Sequence, residues 1–247
     1  MVEMYLEDLN DLLEGTSGGK VIGNRDRKNK LQVRKGAHGQ VEVHGVTHCS
    51  ARTPVELDGI LESGMRKRRV ASTNMNSESS RSHLISSILI ESTDRKTKLV
   101  TSGKLSLVDL AGSESQKKTG ADGDTLKEAN AINKSLSALG NVISELTSGK
   151  GHVSYRNSKL TELLQDGLGG SAKTLMFVNA SPADYNFTET CGSFEFALRC
   201  KKIKNAKSGA SVESKEVKQL RARLAQLEQQ LGSAAATDLA HADGGAV

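Results

Sequence analysis

The residues best suited to chemistry begin with Asp109, an acid that ends a short apolar run. The run, Leu105 to Val108, is long enough for one buried strand, and Gly112 follows three residues after the acid. A carboxylate at the end of a buried strand is costly unless it is paired, and a nucleotide-bound Mg²⁺ is a common partner. A glycine at this spacing lets a backbone N–H approach a phosphate without a Cβ in the way. D-x-x-G is a short motif, and an ordinary turn after a strand fits it equally well.

A second polar run, residues 76–83, lies upstream and reads Asn-Ser-Glu-Ser-Ser-Arg-Ser-His. Hydroxyls such as those of Ser79 and Ser80 can reach a metal or a phosphate-bound water. Arg81 is a fixed cation that can pair with a carboxylate in a bidentate way, and Glu114 is a candidate partner. Taken alone, this run also fits a serine-rich loop that leads into a strand.

Together the two runs are far more specific than either alone. N-x-x-S-S-R-S-H followed by D-L-A-G-S-E resembles the switch I and switch II segments of the kinesin motor domain. Residues 129–140, 155–161 and 173–182 resemble the kinesin helix that lies on the microtubule, the loop and helix beside it, and the last core strand. The resemblance covers residues 1–205. It implies an α/β fold, with a central, mostly β-sheet flanked by helices, of the kinesin-type P-loop NTPase kind with its N-terminal part absent.

The resemblance also implies cofactors, a partner and residue roles. ATP and Mg²⁺ would be the cofactors, and microtubules the partner. Ser80 would coordinate Mg²⁺ directly and Asp109 through water, while Asn76 would contact the nucleotide. Ser79 and Gly112 would sense the γ-phosphate. A salt bridge would close the site around the attacking water, and a basic face would meet the acidic surface of tubulin; the residues are Arg81 and Glu114 for the bridge, and Lys117, Lys118, Tyr155, Arg156 and Lys159 for the face.

ATP chemistry also needs a G-x-x-x-x-G-K-[ST] loop that leaves a strand and opens a helix. Residues 14–21 lack the first glycine and the final Ser or Thr, and residues 167–174 have Ala172 for the second glycine and follow a predicted helix. We reject both. The chain therefore resembles the C-terminal two-thirds of a motor domain, and we expect it alone neither to bind ATP tightly nor to hydrolyse it. We also expect an exposed sheet edge. A non-catalytic microtubule-binding fragment is the alternative interpretation.

Periodicity and turn residues predict the elements that position these side chains. The predicted strands are 31–35, 40–46, 84–90, 105–108 and 174–180. The predicted helices are 126–146, 157–164, 188–204 and one that starts at the capping box of Thr53 and runs toward Gly64. Residues 1–13 resemble a strand that runs into a short helix, and 14–30 read as a loop. The basic cluster 66–69 is interpreted as a solvated helix end, although the corresponding kinesin arginines lie near the nucleotide pocket.

Composition narrows the class of protein. The 247 residues include 36% hydrophobic and 3% aromatic residues, and no apolar run approaches the roughly 18 residues of a membrane helix. The N-terminal residues are acidic where a secretory signal needs basic and then apolar residues, so we expect an intracellular protein. The kinesin resemblance implies a location in the cytoplasm, on the cytoskeleton. Three widely spaced cysteines indicate neither zinc nor a disulfide framework. The basic C-terminal stretch has no interleaved aromatic residues, which counts against binding of single-stranded nucleic acid.

The motor resemblance fades after Asn205, and we predict a neck or regulatory helix in 206–232 and a disordered tail in 233–247. An a/d seam of about two heptads runs from Val217 to Leu231, shorter than a convincing coiled coil. A single helix packed on its motor, a coiled coil, or a calmodulin target at 212–231 remain open. Short stretches such as Ile90-Glu-Ser-Thr93 resemble the kinesin-like calmodulin-binding protein group of C-terminal motors, which move toward microtubule minus ends. Ser154 stands where the family usually has a proline.

Overall fold

A computed structural model describes residues 1–24, 26, 30–36, 40–74, 79–96, 100–113, 124–149, 151–170, 172–205 and 223. The chain divides into two units, Met1–Asn205 and Ala206–Val247. The fold described below is that of the first unit. Within the described residues no helix is both long enough and apolar enough to cross a membrane.

The first unit is built on a four-stranded antiparallel sheet formed by β1 (Val2–Tyr5), β2 (Asp8–Asp11), β7 (His83–Thr93) and β8 (Val100–Asp109). The strands lie in the order β2-β1-β7-β8. The β7–β8 pair is the longest ladder, with ten register partners from Leu84↔Asp109 to Thr93↔Val100. The described residues also form two small antiparallel pairs: β3 (Lys20–Ile22) with β6 (Val46–His48), and β4 (Gln32–Lys35) with β5 (Val41–His44).

In the described part of the first unit, four α-helices accompany the strands: α1 (Pro54–Asn74), α2 (Asp124–Ser148), α3 (Lys159–Leu168) and α4 (Phe187–Lys201). Short 3₁₀ turns cover Ser79–Arg81, Tyr155–Asn157 and Asp184–Asn186. The predicted long amphipathic helix is confirmed by α2, whose Leu139 and Ile143 pack with Met4 of β1. Leu160 and Leu163 of α3 join the same core, which is where β1 is buried.

The capping box before α1 is confirmed, but the predicted end of the helix is wrong. The Glu56 amide donates to Thr53 Oγ1 at 3.2 Å, and the Glu56 carboxylate accepts from the Arg52 amide at 2.8 Å. The helix then passes Gly64 and continues to Asn74. Gly64 has a packing role, because a Cβ built there would collide with the Met1 side chain.

Three other local predictions are also wrong. Residues 1–13 form the β1–β2 hairpin and a turn, so the expected short helix is not formed. Lys20–Ile22 is a strand inside the predicted loop, because it pairs with a segment far along the chain. Residues 174–180 form no strand: they pair with none of the described strands, and Leu175 and Phe177 are 77% and 81% exposed. A strand needs a partner as well as an apolar sequence.

Candidate functional site: where the two switch-like motifs meet

The two polar motifs, about 30 residues apart in sequence, are adjacent in the fold. The Leu84↔Asp109 register sets the start of β7 beside the end of β8. Just beyond it, the Gly112 amide donates to the Ser80 carbonyl at 2.7 Å. The antiparallel ladder therefore brings Ser80, Asp109 and Gly112, three of the residues named from the two motifs, to one end of the sheet.

A buried arginine from α1 holds Asp109 in place. Arg68 is 3% exposed, and its Nη1 donates to Asp109 Oδ2 at 2.9 Å. Its Nη2 donates to the Ser82 carbonyl at 3.1 Å, and its Nε lies 3.5 Å from Glu3 Oε1. The Ser82 hydroxyl donates to the same Glu3 oxygen at 2.6 Å. One guanidinium thus links β1, α1, the start of β7 and the end of β8.

This network corrects the interpretation of the 66–69 cluster as a solvated helix end. Arg66 does fit it, since it is exposed and lies 4.0 Å from Glu62 one turn earlier. Arg68 does not, because its two carboxylate partners make burial of its charge tolerable. Those partners are distant in sequence, so the local charge pattern could not reveal them.

His83 is a second buried polar residue to which the sequence assigned no role. Its ring accepts a hydrogen bond from the Ala111 amide at Nδ1, at 3.0 Å, and its Nε2 lies 2.8 Å from the Ser135 hydroxyl of α2. Burial lowers the pKa of His83 to about 4, against the opposing effect of the nearby Glu7 and Asp109 carboxylates. The ring is therefore neutral at physiological pH. Its position at the end of the Ser-rich motif was the one feature of the sequence that could have pointed to a role for this histidine.

Several predicted site residues lie outside the described part of the chain. These are Asn76, Glu114, Lys117 and Lys118, together with the side chain of Ser79. The backbone of Ser79 belongs to the 3₁₀ turn, in which Ser80 is exposed and Arg81 is half-buried. The Arg81–Glu114 bridge and a calmodulin target at 212–231 stay predictions.

The candidate tubulin-facing residues that are described sit between α2 and α3. Arg156 is exposed, Lys159 is partly exposed and Tyr155 is half-buried; burial, helped by Glu145, raises the pKa of the Tyr155 hydroxyl. Glu145 of α2 also accepts from the Ser154 amide at 2.6 Å and from its hydroxyl at 3.0 Å. A proline at 154 would have neither donor. Ser154, in place of the proline that the family usually has, therefore gives the loop two hydrogen bonds to α2.

The start of α3 is fixed from the first hairpin. Ser158 is the N-cap: its hydroxyl accepts from the Leu160 amide at 3.2 Å and donates to Glu7 Oε1 at 2.7 Å. The other Glu7 oxygen accepts from the Lys159 amide at 3.0 Å. Glu7 lies in a two-residue turn whose first member, Leu6, has φ of 60°, a strained value for a branched side chain. A carboxylate at a helix N-terminus is favourable, so these contacts help hold the turn.

The site residues fit the metal-binding part of a nucleotide site. The single charge of Arg68 is shared by Glu3 and Asp109, so these three groups together carry one negative charge, and the Asp109 side chain is 66% exposed. An exposed carboxylate and an exposed serine at the same end of the sheet suit a hard cation with its waters. Among the described residues no group of three or more His, Cys, Asp and Glu side chains could hold a metal unaided.

The structure agrees with the rejection of both near-miss phosphate loops. Lys20 opens β3, which pairs with β6 in a separate two-stranded sheet. Gly169 is the C-cap of α3, so residues 167–174 leave a helix. Neither segment leaves a strand and opens a helix, as a phosphate loop must.

Comparisons with known proteins agree with the geometry. A family model described as kinesin motor domain matches residues 1–203. The chain is 50% identical over 232 residues to kinesin-like protein KIN-14E of Arabidopsis thaliana, covering 94% of this chain and 18% of the relative. It is 46% identical over 205 residues to kinesin-like protein klp-20 of Caenorhabditis elegans, covering 83% and 30%.

A solved structure is also similar. It is titled "Structure of a fast kinesin: Implications for ATPase mechanism and interactions with microtubules", and it matches with a TM-score of 0.71 and 43% identity. The match covers 86% of this chain and 59% of that one. The chain thus spans less than a third of the length of the two relatives named above. With a family model matched over 1–203 and the switch-like motifs joined at one end of the sheet, this chain belongs to the kinesin motor domain family.

Proposed function

We propose that the chain is the part of an ATP-driven microtubule motor that senses the nucleotide state and carries the microtubule-binding face. The observation that carries this proposal is the junction of the two motifs through the Gly112–Ser80 hydrogen bond, beside the Arg68–Asp109 ion pair. A change at this junction would be passed to the segment of the chain between Gly112 and α2. Kinesin-type switching is of this kind, with a segment ordered or released by a phosphate.

Each residue keeps the role that the resemblance gives it. Ser80 would bind Mg²⁺ directly, and Asp109, oriented by Arg68, would bind it through water. Ser79 and Gly112 would contact the γ-phosphate, Asn76 the nucleotide, and Arg81 with Glu114 would close the site. ATP hydrolysis would supply the free energy for movement. The described residues at this site include no phosphate-binding loop of the G-x-x-x-x-G-K-[ST] kind. We therefore expect no ATP hydrolysis by this chain alone.

The microtubule face would be formed by Arg156, Lys159 and Tyr155, with Lys117 and Lys118. Tubulin is acidic, so exposed cations such as Arg156 would contribute attraction that salt screens. The polar side of α2 lies beside this segment: Lys134, Ser137 and Asn141 line a shallow depression together with Asn157. Attachment to microtubules would place the protein on the cytoskeleton in the cytoplasm.

The direction of movement is proposed from the extent of the similarities. The matches to KIN-14E and to KIN-14I of Oryza sativa cover 232 and 238 residues, whereas those to klp-20 and Klp68D cover 205 and 204. Similarity to the KIN-14 proteins thus takes in much of the segment after Asn205. This supports the C-terminal-motor class and minus-end-directed movement.

Microtubule co-pelleting tests the proposal. We expect the chain to pellet at low salt and to be released at high salt, with little difference between ATP and a non-hydrolysable analogue. The double variant Arg156→Ala/Lys159→Ala should weaken binding at least several-fold, whereas Lys20→Ala, an exposed cation in β3, should not change it. A folded chain that fails to pellet would overturn the microtubule assignment.

The alternative, a purely non-catalytic microtubule-binding fragment, predicts the same pelleting and differs in nucleotide chemistry. Weak, Mg²⁺-dependent binding of a fluorescent ATP analogue, lost in Asp109→Asn, would favour the motor assignment. Pelleting without any nucleotide binding would favour the alternative.

A further inference from the structure

Three elements meet at the buried imidazole of His83. The residue opens β7 directly after the Ser-rich motif, and its side chain is 2% exposed. Ala111, 5% exposed, belongs to the D-x-x-G loop, and Ser135, fully buried, lies on the inner side of α2. The imidazole is hydrogen-bonded to both, so it touches the phosphate-side loop and the long helix at once.

The hydrogen bonds fix which nitrogen carries the proton. The Ala111 amide is a donor only, so Nδ1 must offer a lone pair to it. In a neutral ring the proton then sits on Nε2 and is donated to Ser135 Oγ, 2.8 Å away. The Ser135 hydroxyl in turn donates a hydrogen bond to the Ile132 carbonyl, at 2.8 Å, one turn earlier in α2. All three hydrogen bonds in this series are donated in the same direction, from the loop toward the helix.

We propose that the His83–Ser135 hydrogen bond is a mechanical bridge through which the D-x-x-G loop and α2 sense each other's position. The proposal rests on the proposed function, since it gives the route from the nucleotide side to the microtubule side. His83 is a positioning residue: it holds the Ala111 amide on one side and the helix on the other. Ala111 lies between Asp109 and Gly112, so a movement of this loop must either draw Ser135 with it or leave buried polar groups unpaired.

A buried histidine can also serve packing alone, and the two roles differ in what Ser135 does. In a packing role, removing the Ser135 hydroxyl affects only the helix around it. In a bridging role, removing the same hydroxyl frees the ring from α2. The Ala111 amide, which lies on a different element, then loses its protection from hydrogen exchange. Ser144 provides a matched control, since its hydroxyl also bonds within α2, to the Gly140 carbonyl at 2.9 Å, but is exposed.

The test is amide hydrogen exchange in the full chain, read by NMR at Ala111. Ser135→Ala should accelerate exchange at Ala111 about tenfold, and Ser144→Ala should leave it unchanged. The ¹⁵N shifts of the His83 ring should show a bare Nδ1 and a protonated Nε2 in the wild type. An unchanged Ala111 rate in Ser135→Ala, or the opposite tautomer, would overturn the bridge.

A second variant covers the case in which Ser135→Ala does not fold. His83→Asn keeps an acceptor near the Nδ1 position but is too short to reach Ser135. Because it loses the anchor on α2, it should accelerate exchange at Ala111, as Ser135→Ala does, and exchange in α2 around Ser135. Slow exchange preserved at Ala111 in His83→Asn would contradict the bridge.

A microtubule arm separates this inference from the proposed function. Binding of microtubules to the wild type should change exchange at Ala111, and Ser135→Ala should bind with similar affinity yet show no change there. The same response at Ala111 in both proteins would overturn the bridge. A wild type that does not bind microtubules would instead refute the proposed function, while the comparison in the free chain still decides whether His83 joins the loop to α2.

Discussion

The main sheet is covered very differently at its inner strand β1 and at its outer strand β8. At β1, Val2 and Met4 are 5% and 1% exposed under α2 and α3. At the outer strand β8, Leu105 and Leu107 are 47% and 50% exposed, and no described strand pairs with its free edge. The side beneath the proposed microtubule face therefore has a core of its own, while the side that carries Asp109 exposes apolar surface. The exposed edge expected from the sequence is confirmed.

This contrast separates stability from nucleotide chemistry. The buried side should control whether the chain folds, and the β8 side should control what it binds. Neighbouring exposed apolar side chains, such as those of Leu105 and Leu107 on β8, are typical of a surface that another segment or partner covers.

Truncating a side chain on each side should show the largest difference. Ile143→Ala in α2 removes a side chain that is 1% exposed and should lower the free energy of unfolding by about 3 kcal/mol. Leu107→Ala, on half-exposed β8, should lower it by less than about 1 kcal/mol. Urea denaturation followed by circular dichroism measures both. Equal losses would remove the distinction between the two sides.

Acid should weaken the buried side through His83. Its pKa is about 4 in the folded chain and about 6.5 when unfolded, so the neutral ring contributes stability that is complete above pH 6.5. We expect about 3 kcal/mol to be lost between pH 6.5 and pH 4. Burial outweighs the Glu7 and Asp109 carboxylates, which raise this pKa, while Arg68 lowers it slightly.

The measurement is the free energy of unfolding against pH for wild type and His83→Gln. Carboxylates contribute to acid unfolding in both proteins, so the difference between the slopes isolates the ring. Parallel curves over this interval would show that His83 is not buried as a neutral group.

The Arg68 network extends from the covered to the exposed side, so its two carboxylates should differ. Glu3→Gln leaves part of a buried charge unpaired and should cost about 2 to 3 kcal/mol. Asp109→Asn acts at a side chain that is 66% exposed, and should cost no more than about 1 kcal/mol. Thermal unfolding at neutral pH compares them. A larger loss of stability for Asp109→Asn than for Glu3→Gln would show that the network stabilises the fold mainly through Asp109.

The smallest effect on stability is expected at the sheet edge. Leu105→Lys adds a charge to an exposed strand, and should change the free energy of unfolding by less than about 0.5 kcal/mol. It should nevertheless reduce self-association, because charged residues block pairing of open edges. Light scattering over a concentration series provides the readout. Unchanged self-association would mean that the β8 edge is not the surface through which copies of the chain associate.

The sequence predicted best where the determinants were local. The three- and four-residue apolar spacing gave α2, and the Thr53–Glu56 box gave the start of α1. The two motifs singled out Ser80 and Gly112, which a hydrogen bond joins, but their roles stay predictions. It failed where a partner was distant. Lys20–Ile22 depends on Val46–His48, and residues 174–180 have the composition of a strand but no described neighbour.

The burial of charged and polar side chains was the other property that the sequence did not predict. The burial of Arg68 follows from Glu3 and Asp109, residues 65 positions before and 41 after it, and nothing in the basic cluster itself distinguishes Arg68 from Arg66. His83 likewise gains its environment from Ala111 and Ser135. Only the assembled sheet shows which polar residues of the motifs face inward.

The cap that Glu7 places on α3 has a consequence for the timing of synthesis. Ser158 is made 151 residues after Glu7, which at about 5 to 20 residues per second is roughly 8 to 30 s. During that interval the strained β1–β2 turn at Leu6 has no helix to hold it. The first hairpin should therefore become persistent only after α3 leaves the ribosome, so a nascent chain stalled before Ser158 should remain sensitive to protease at this turn.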